Sequence, residues 1–406
     1  MTPEPDPAPT EPAHTGAHPD RVGWPLLLVL ASLATVSPIA TDLYLPGFPD
    51  LARDLHTSAS GVQLTLTAFL VGMGVGQMVM GPLSDSYGRR QPLVWSTVGC
   101  VVGGVIAAMA PTLAILIIGR LIQGLAGAGG VVIGRAVLAD LVTGRAAAKA
   151  FTLMLTVGGV APVLSPFVGS LLLAPLGWRG LLWVLALLTL LMVPGVVLVV
   201  RETHPPERRS QAGTYGRTLR EVVATRAYWP PVAVFALCFG VLMTYIAASP
   251  FVYQNVVGLS PVGYGVAFAI NASGMISSGW FASRVVDRIQ PRQIVRIGVL
   301  VQLIANATLL ALTLIHAPAW LIPVPIFFAV MCNGAIMGNA ASLAMSQVRQ
   351  VAGAGSALLG GAQFAVGSVL SPLAGVGGDA SVLAPALIMA GCSVTAFVVT
   401  RLGLRH

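Results

Sequence analysis

The chain has 406 residues, of which 56% are hydrophobic and only 9% are charged. A soluble domain carries about 25% charged residues, so this composition excludes a soluble protein and requires a surface that faces lipid. The net charge of +8 does not indicate a nucleic-acid partner, because the basic residues lie in short segments between apolar runs, a pattern that orients membrane proteins. The widely spaced cysteines (Cys100, Cys238, Cys332 and Cys392) form no metal or redox motif, and neither a metal nor a cofactor is predicted.

The chain begins with a Pro-rich, acidic segment over residues 1–21, which we predict to be a disordered cytoplasmic tail. Apolar runs of roughly 18 or more residues follow, and they predict membrane-spanning helices. The predicted spans are 24–45, 61–81, 92–110, 112–138, 149–174, 178–200, 229–252, 262–286, 293–316, 318–345, 353–376 and 381–402.

A polar segment over 201–228 divides these spans into six plus six. We therefore predict an all-α membrane protein with twelve transmembrane helices in two six-helix bundles, at 22–200 and 229–406. The segment between them is predicted to be a cytoplasmic loop, part of which, Tyr215–Arg226, could form an amphipathic helix on the membrane surface.

The basic residues predict the orientation of the chain. If both termini are cytoplasmic, the outer loops hold only Arg53 and Arg179, while Arg120 and Arg135 fall within the fourth span. The other basic residues then lie on the inner side. This asymmetry predicts a multi-pass protein of the cytoplasmic membrane with both termini in the cytoplasm.

The two halves repeat short patterns at nearly equal offsets, which predicts a duplicated six-helix unit. Such repeats typically flank a substrate site near the bilayer midplane. The matching pairs are Ser165–Gly169 with Ser371–Gly375, Gln123-Gly124 with Asn333-Gly334, and Pro46 with Pro250.

Asp42 is the one acidic residue within a predicted span. A carboxylate in a bilayer is costly and by default marks a functional site. Thr35 and Pro38 share its helical face, and Pro38 and Pro46 remove backbone donors, so the helix can bend there. We predict that a proton and a cationic or polar substrate compete for Asp42. The alternative is a helix-end residue at the outer water boundary, although a span that continues towards Leu55 would place Asp42 deeper.

Arg120 is a second charged residue within the spans, and Gln123 lies one turn away on the same face. An arginine at this depth should face the bundle interior and find a partner there. Two interpretations remain open. Arg120 senses the protonation of Asp42, or it is a structural polar clamp between helices.

The loop after the second span reads GPLSDSYGRR. Its Gly-Pro pair predicts a sharp turn between helices, and its aspartate can accept backbone donors at the start of a helix. Its arginines can pair with acids at other inner helix ends when the inner side is closed. The gating residues predicted here are Gly81, Asp85, Gly88, Arg89, Arg90 and their expected partner Asp140.

Three residues of the fifth span, Pro162, Pro166 and Gly169, allow kinks and close helix approach, and we predict a gating role for them with plain packing as the alternative. Scattered polar side chains in apolar spans could line a substrate cavity. Besides Asp42, the predicted substrate-binding residues are Tyr44, Gln123, Tyr245, Asn333 and Asn339. Asn271 is interpreted as a contact between helices.

These motifs resemble the major facilitator superfamily over residues 22–403, and within it the drug/proton antiporters of the bicyclomycin and chloramphenicol resistance (Bcr/CflA) type. The similar segments are residues 81–90, Arg120 with Gln123-Gly124, residues 158–169 and residues 42–46 (DLYLP). The resemblance implies two bundles that rock around a central site, with proton and substrate binding at Asp42 and a proton-linked role for Arg120. Ser165 replaces a usual glycine, and Ala34 stands where some multidrug relatives carry a second acid.

The sequence thus predicts proton-coupled efflux of drugs or antibiotics, chloramphenicol-like or multidrug, by alternating access. The expected partners are protons, a drug-like small molecule and membrane lipid, with no nucleic acid, and the chain is expected to act as a monomer. The alternative is proton-coupled uptake or export of a small metabolite. No enzymatic activity is predicted, because the sequence shows no His, Asp and Glu cluster at one membrane face.

Overall fold

The computed structural model describes residues 23–142, 144–208 and 214–403, so the tail predicted at 1–21 lies outside the described residues. The described residues form helices and no β-strand. The helices are α1 (Trp24–Asp42), α2 (Phe48–Asp54), α3 (Ala59–Tyr87), α4 (Arg90–Ala108), α5 (Leu113–Leu141), α6 (Gly144–Val199), α7 (Thr214–Ala224), α8 (Trp229–Phe251), α9 (Pro261–Val285), α10 (Pro291–Leu314), α11 (Pro323–Ser346), α12 (Ala352–Leu373) and α13 (Leu383–Gly403).

Helix α6 contains the fifth and sixth predicted spans. Gly177 has a φ of +64° and interrupts the helical backbone, dividing α6 into a first and a second arm. Residues with a Cβ rarely adopt this conformation, which glycine reaches at little steric cost. The break therefore falls where the sequence predicted a loop, between 174 and 178.

Ten helical segments of the described chain are long and apolar enough to cross a membrane, and one of them, Val157–Val199, holds both arms of α6. Helix α9 is a further long helix that is not among the ten, because Asn271 and several serines and glycines lower its hydropathy. Counting the arms separately and adding α9 gives twelve long helices in the described residues. The predicted all-α fold with twelve spans is confirmed.

Helices α1 to α6 form one half of the molecule, called here the N half, and α8 to α13 form the C half. Within each half, a glycine lets two helices touch backbone to backbone. A Cβ at Gly124 of α5 would collide with the carbonyl of Phe69 in α3, and one at Gly334 of α11 would collide with the carbonyl of Met275 in α9. The two matching glycines from the predicted repeat therefore hold equivalent helix pairs together.

The two halves meet where α3 packs on α12 and where α6 packs on α9. At the end of the molecule that carries α2, the α2 end, hydrogen bonds join the halves. They run from Gln63 Nε2 to Ala247 O at 3.0 Å, from Gln254 Nε2 to Pro46 O at 3.1 Å, and from Ala59 N to Asp379 Oδ1 at 3.1 Å. These bonds hold the α2 end closed.

The opposite end, the α7 end, is more open. A pocket of about 470 Å³ lies there between α3 and α5 on one side and residues 350–357 on the other. Helix α7 corresponds to the amphipathic helix predicted at 215–226. Its Val222 is fully buried among C-half residues, so α7 packs on the protein itself.

The turn predicted at Gly81 and Pro82 is wrong. Helix α3 continues through both residues, and the hydroxyl of Ser84 donates to Gly81 O at 2.9 Å. A membrane helix tolerates an internal proline where neighbouring groups supply the missing hydrogen bonds. The chain turns instead at Gly88, whose φ is +90°.

The first span ends at Asp42, and the chain then continues as a short 3₁₀ turn, Leu45–Gly47, and α2. Asp42 is nevertheless only 3% exposed. This burial argues against the alternative of a helix end at the water boundary, since the chain continues beyond Asp42 as the turn and α2.

We predict that Gly124→Ala lowers the unfolding temperature of the purified protein by several degrees. The added methyl group has no space against the Phe69 carbonyl, and such overpacking costs about 1–3 kcal/mol. Gly127→Ala on the same helix is the matched control, because its new Cβ would find its nearest neighbour, Cys100 Sγ, at 3.8 Å. Equal unfolding temperatures for the two variants would contradict the proposed close contact.

Candidate functional site

A cavity of about 210 Å³ lies between the two halves, with walls from α1, α3, α6, α8, α9, α11 and α12. Most of its lining is apolar and includes Phe239, Phe268 and Phe364. Asp42 and Tyr245 are two of its few polar residues, one from each half. Of the predicted substrate-binding residues, these two are the ones that the structure brings together at the cavity.

Asp42 is the one buried carboxylate in the part of the chain that the structure describes. Its Oδ1 is enclosed and has no hydrogen-bond partner. Next to it, Gly169 of α6 lies so close to the carbonyl of Leu43 that no side chain would fit, and Pro162 of α6 lines the cavity. Helix α6 is thus pressed against α1 at the carboxylate, while Pro166 lies between these two contacts on the first arm.

Arg120 of α5 is fully buried and reaches α1 two residues before the carboxylate. Its guanidinium donates to Ala40 O at 2.6 Å and to Gln123 Oε1 at 2.6 Å. It lies 4.6 Å from the ring centroids of both Tyr44 and Phe69, a cation–π arrangement. No ion pair with Asp42 is present among the described residues. Arg120 therefore acts on the neighbouring α1 backbone and not directly on the carboxylate.

Tyr44 and Gln123 do not line this cavity, and their contact with substrate stays a prediction. The Tyr44 hydroxyl is hydrogen bonded to Thr65 Oγ1 at 3.0 Å, and its ring packs on the guanidinium of Arg120. The amide oxygen of Gln123 accepts a hydrogen bond from Arg120. Both side chains are occupied in supporting the buried arginine inside the N half.

Asn333 and Asn339 also lie away from the cavity lining. Each donates to a carbonyl four residues earlier on its own helix, Ala329 at 3.2 Å and Ala335 at 2.8 Å. A short polar side chain within a helix commonly satisfies itself in this way. In this structure the contacts of both amide groups are intrahelical, and a substrate contact of these residues stays a prediction.

The C-half wall of the cavity contains a linked set of phenols. Asn271 Nδ2 donates to Tyr245 Oη at 2.9 Å and to Tyr253 Oη at 3.1 Å. The ring of Tyr245 stacks on Phe268 with 5.5 Å between centroids. The interpretation of Asn271 as a contact between helices agrees with this geometry, since it joins α9 to α8 and to the turn that follows α8.

Arg89 is the centre of a charged cluster at the α7 end. Its guanidinium donates to Asp140 Oδ2 at 3.0 Å, to Asp85 Oδ1 at 2.5 Å and to Ser84 Oγ at 2.8 Å. Desolvation opposes the charged form, but the bonds and charges of Asp140 and Asp85 outweigh it and raise the pKa of Arg89. All of these partners belong to the N half, so the cluster joins α3, α4 and α5 and does not connect the two halves.

Glu202 caps α4, a role that the sequence assigned to Asp85. Its carboxylate accepts the backbone N–H of Arg89 at 2.8 Å and that of Arg90 at 3.1 Å. Asp85 instead lies on the preceding helix and pairs with the Arg89 side chain. An acidic group at a helix N-terminus is stabilising, but a cap supplied from residue 202 has no local sequence signal.

The fold and this site define a multi-pass membrane transporter, with a largely apolar cavity between two helical halves. The chain belongs to the Major Facilitator Superfamily, whose family model matches residues 30–372. Members of this family are transporters, not enzymes.

Two relatives cover most of the chain. YdgK, an uncharacterized MFS-type transporter of Bacillus subtilis (strain 168), is 36% identical over 355 residues, which are 86% of this chain and 88% of YdgK. A bicyclomycin resistance protein homolog of Haemophilus influenzae is 30% identical over 361 residues, with the same two shares, 86% and 88%. The chain therefore resembles the drug/proton antiporters of the bicyclomycin resistance type. Among solved structures, a D-xylose-proton symporter has a TM-score of 0.74 and 16% identity over 93% of this chain and 97% of that one, a likeness of fold alone.

We predict that Arg120→Lys lowers the unfolding temperature by several degrees. Lysine cannot supply the planar fork that reaches Ala40 and Gln123 together while lying against Tyr44, and the loss is about 1–3 kcal/mol. Arg179→Lys is the control, because that arginine also lies over a ring, that of Trp178, but its side chain is 43% exposed. A lysine variant at Arg120 as stable as the control would show that the guanidinium geometry is unimportant.

We also predict that Asp140→Asn destabilises the protein more than Asp85→Asn. The Asp140 side chain is 21% exposed and also accepts from Thr203 Oγ1, whereas the Asp85 side chain is 42% exposed. Breaking a half-buried charged pair costs about 1–3 kcal/mol, and an exposed pair contributes at most about 1 kcal/mol. Unfolding curves of the two variants provide the test, and the reverse ranking would refute it.

Proposed function

We propose that this protein is a proton-driven exporter of drug-like amphiphiles that works by alternating access in the cytoplasmic membrane. The observation that carries the proposal is Asp42, a buried carboxylate with an unpartnered oxygen at an apolar cavity between the two halves. The protons and the exported molecule would share this site.

Competition for one carboxylate supplies the coupling. An ionised carboxylate among apolar groups is costly, so either a proton or the donor group of a substrate relieves that cost, and each excludes the other. Arg120 holds the α1 backbone at Ala40, which keeps Asp42 at the cavity through the exchange. Protonation of Asp42 from the outer side would release the substrate, and deprotonation inside would restore the site.

The two ends of the molecule support alternating access. Hydrogen bonds between the halves close the α2 end, while a pocket of about 470 Å³ lies between the halves at the α7 end. Most of the basic residues belong to loops at the α7 end, so we assign this end, with both termini, to the cytoplasm. The structure would then be an inward-facing form. A single chain contains both halves of the site, which supports a functional monomer.

The relatives favour drugs as the exported class. The Haemophilus influenzae relative is named for bicyclomycin resistance, and it aligns along 86% of this chain. The apolar, aromatic wall of the cavity agrees with that class, because amphiphilic ligands bind to apolar surfaces with few polar groups.

We predict that Asp42→Asn reduces substrate accumulation in energised everted vesicles to the level of vesicles without the protein. The amide cannot exchange a proton, so the membrane potential, which supplies about 2.3 kcal/mol per charge per 100 mV, no longer drives export. Accumulation of chloramphenicol and chloramphenicol-induced proton release from the purified protein are the two measurements.

Asp50→Asn is the control, since that carboxylate is exposed and paired with Arg53, and it should behave like the wild type. Persistence of both accumulation and proton release in Asp42→Asn at normal expression would refute the coupling role. A wild-type protein that empties everted vesicles, instead of loading them, would show uptake in place of efflux.

A further inference from the structure

Tyr245 has a hydroxyl hydrogen that no described residue accepts. The amide nitrogen of Asn271 donates both of its hydrogens, one to Tyr245 Oη and the other to Tyr253 Oη. A phenol oxygen that accepts one hydrogen bond still has its own O–H to donate. Because Tyr245 lines the central cavity and Tyr253 does not, only the Tyr245 hydroxyl is placed to donate to a molecule bound there.

Asp42 presents the opposite chemistry from the other half. Its Oδ1 is a buried acceptor without a donor. Asp42 and Tyr245 line the same cavity of about 210 Å³, and no hydrogen bond joins them. Buried polar groups are normally paired, so one oxygen of Asp42 on the N half and the hydroxyl hydrogen of Tyr245 on the C half are each available to a molecule bound in the cavity.

The remaining wall limits the shape of a ligand. Phe239, Phe268 and Phe364 line the cavity together with the two polar groups, as do Met243 and Met275. Methionine adapts to irregular apolar shapes and makes favourable contacts with aromatic rings. The volume is smaller than the 300–1,000 Å³ or so of typical drug sites, which favours a compact molecule.

We propose that the site selects compact aromatic molecules that carry both a hydrogen-bond donor, bound by Asp42, and an acceptor, bound by the Tyr245 hydroxyl, with Asn271 as the residue that positions this hydroxyl. The inference rests on the proposed function, because it names the substrate class of the same site. The chemistry also explains release. A protonated Asp42 accepts a weaker hydrogen bond from the ligand's donor because the charge is lost, and the Tyr245 contact adds only one neutral hydrogen bond.

The test compares two matched variants of the purified full-length protein in lipid nanodiscs. Tyr245→Phe and Tyr253→Phe both keep the aromatic ring. Each variant removes one of the two phenol hydroxyls that accept a hydrogen bond from Asn271. The probe is chloramphenicol, a neutral aromatic compound with hydroxyl and amide donors and with carbonyl and nitro acceptors. We expect equilibrium binding to weaken about threefold to tenfold in Tyr245→Phe, the value of one hydrogen bond, and by less than about twofold in Tyr253→Phe.

A second probe, phenyltrimethylammonium, is an aromatic cation without a donor or acceptor, and its affinity should be the same in Tyr245→Phe and the wild type. Equal losses of chloramphenicol binding in both tyrosine variants, or no loss in either, would overturn the inference. So would an equal loss for both probes, or a wild-type protein that does not bind chloramphenicol.

The positioning role of Asn271 has its own readout. Asn271→Leu should weaken chloramphenicol binding in the wild-type background and have no further effect when combined with Tyr245→Phe, because the two residues act through one hydroxyl. Additive losses would overturn this role. These binding measurements need no proton gradient, so a failure of chloramphenicol export in vesicles would refute the proposed function while leaving the binding result intact.

Discussion

Arg120 links α5 to α1 beside the one buried carboxylate in the described part of the chain. Its guanidinium binds the Ala40 carbonyl and lies against two aromatic rings. A buried charge is costly unless it is paired and hydrogen bonded; Gln123 Oε1 and the Ala40 carbonyl each accept a hydrogen bond from the guanidinium, and the rings of Tyr44 and Phe69 lie against it. The position of Asp42 at the cavity depends on this arrangement, because the residues on both sides of it are held by α5 and α6.

The two halves differ in the charge of their buried polar groups. The N half contains the buried charged residues of the described chain, Asp42, Arg89 and Arg120, whereas the polar groups at the C-half wall are neutral phenols and an amide. A neutral hydrogen-bonding surface keeps its character when the proton moves, and a carboxylate does not. In the transport cycle proposed above, the C half would therefore hold a constant contact with the ligand while the N half changes its own.

The sequence was sufficient for the fold and for the residue at its centre. Apolar runs located the helices to within a few residues, and Asp42 emerged because no other acid lies within a span. It was harder to predict which side chains face the cavity and which face neighbouring helices. Helices such as α8 are apolar on every side, so periodicity does not separate a cavity wall from packing. Tyr44 and Gln123 were therefore assigned to substrate, although they support Arg120.

Two local predictions, the turn at Gly81-Pro82 and the cap of α4, were wrong because residues further along the chain decide them. The Gly81-Pro82 pair looks like a turn, yet α3 continues through it because the reversal is available at Gly88. The cap of α4 comes from Glu202, more than a hundred residues away along the chain, and local patterns carry no trace of such a contact. Asn271 was interpreted correctly as a contact between helices, but its two phenol partners could be identified only in three dimensions.

Helix α9 bears the amide of this set and is the long helix whose composition alone does not qualify it to cross a membrane. A segment of that kind partitions poorly into lipid by itself, since an unpaired amide in hydrocarbon is costly. It gains a favourable environment once Tyr245 of α8 is present to accept a hydrogen bond. During biogenesis α9 would therefore enter the bilayer together with α8 as a helical hairpin, and the same buried amide that orders the cavity would couple the insertion of the two segments.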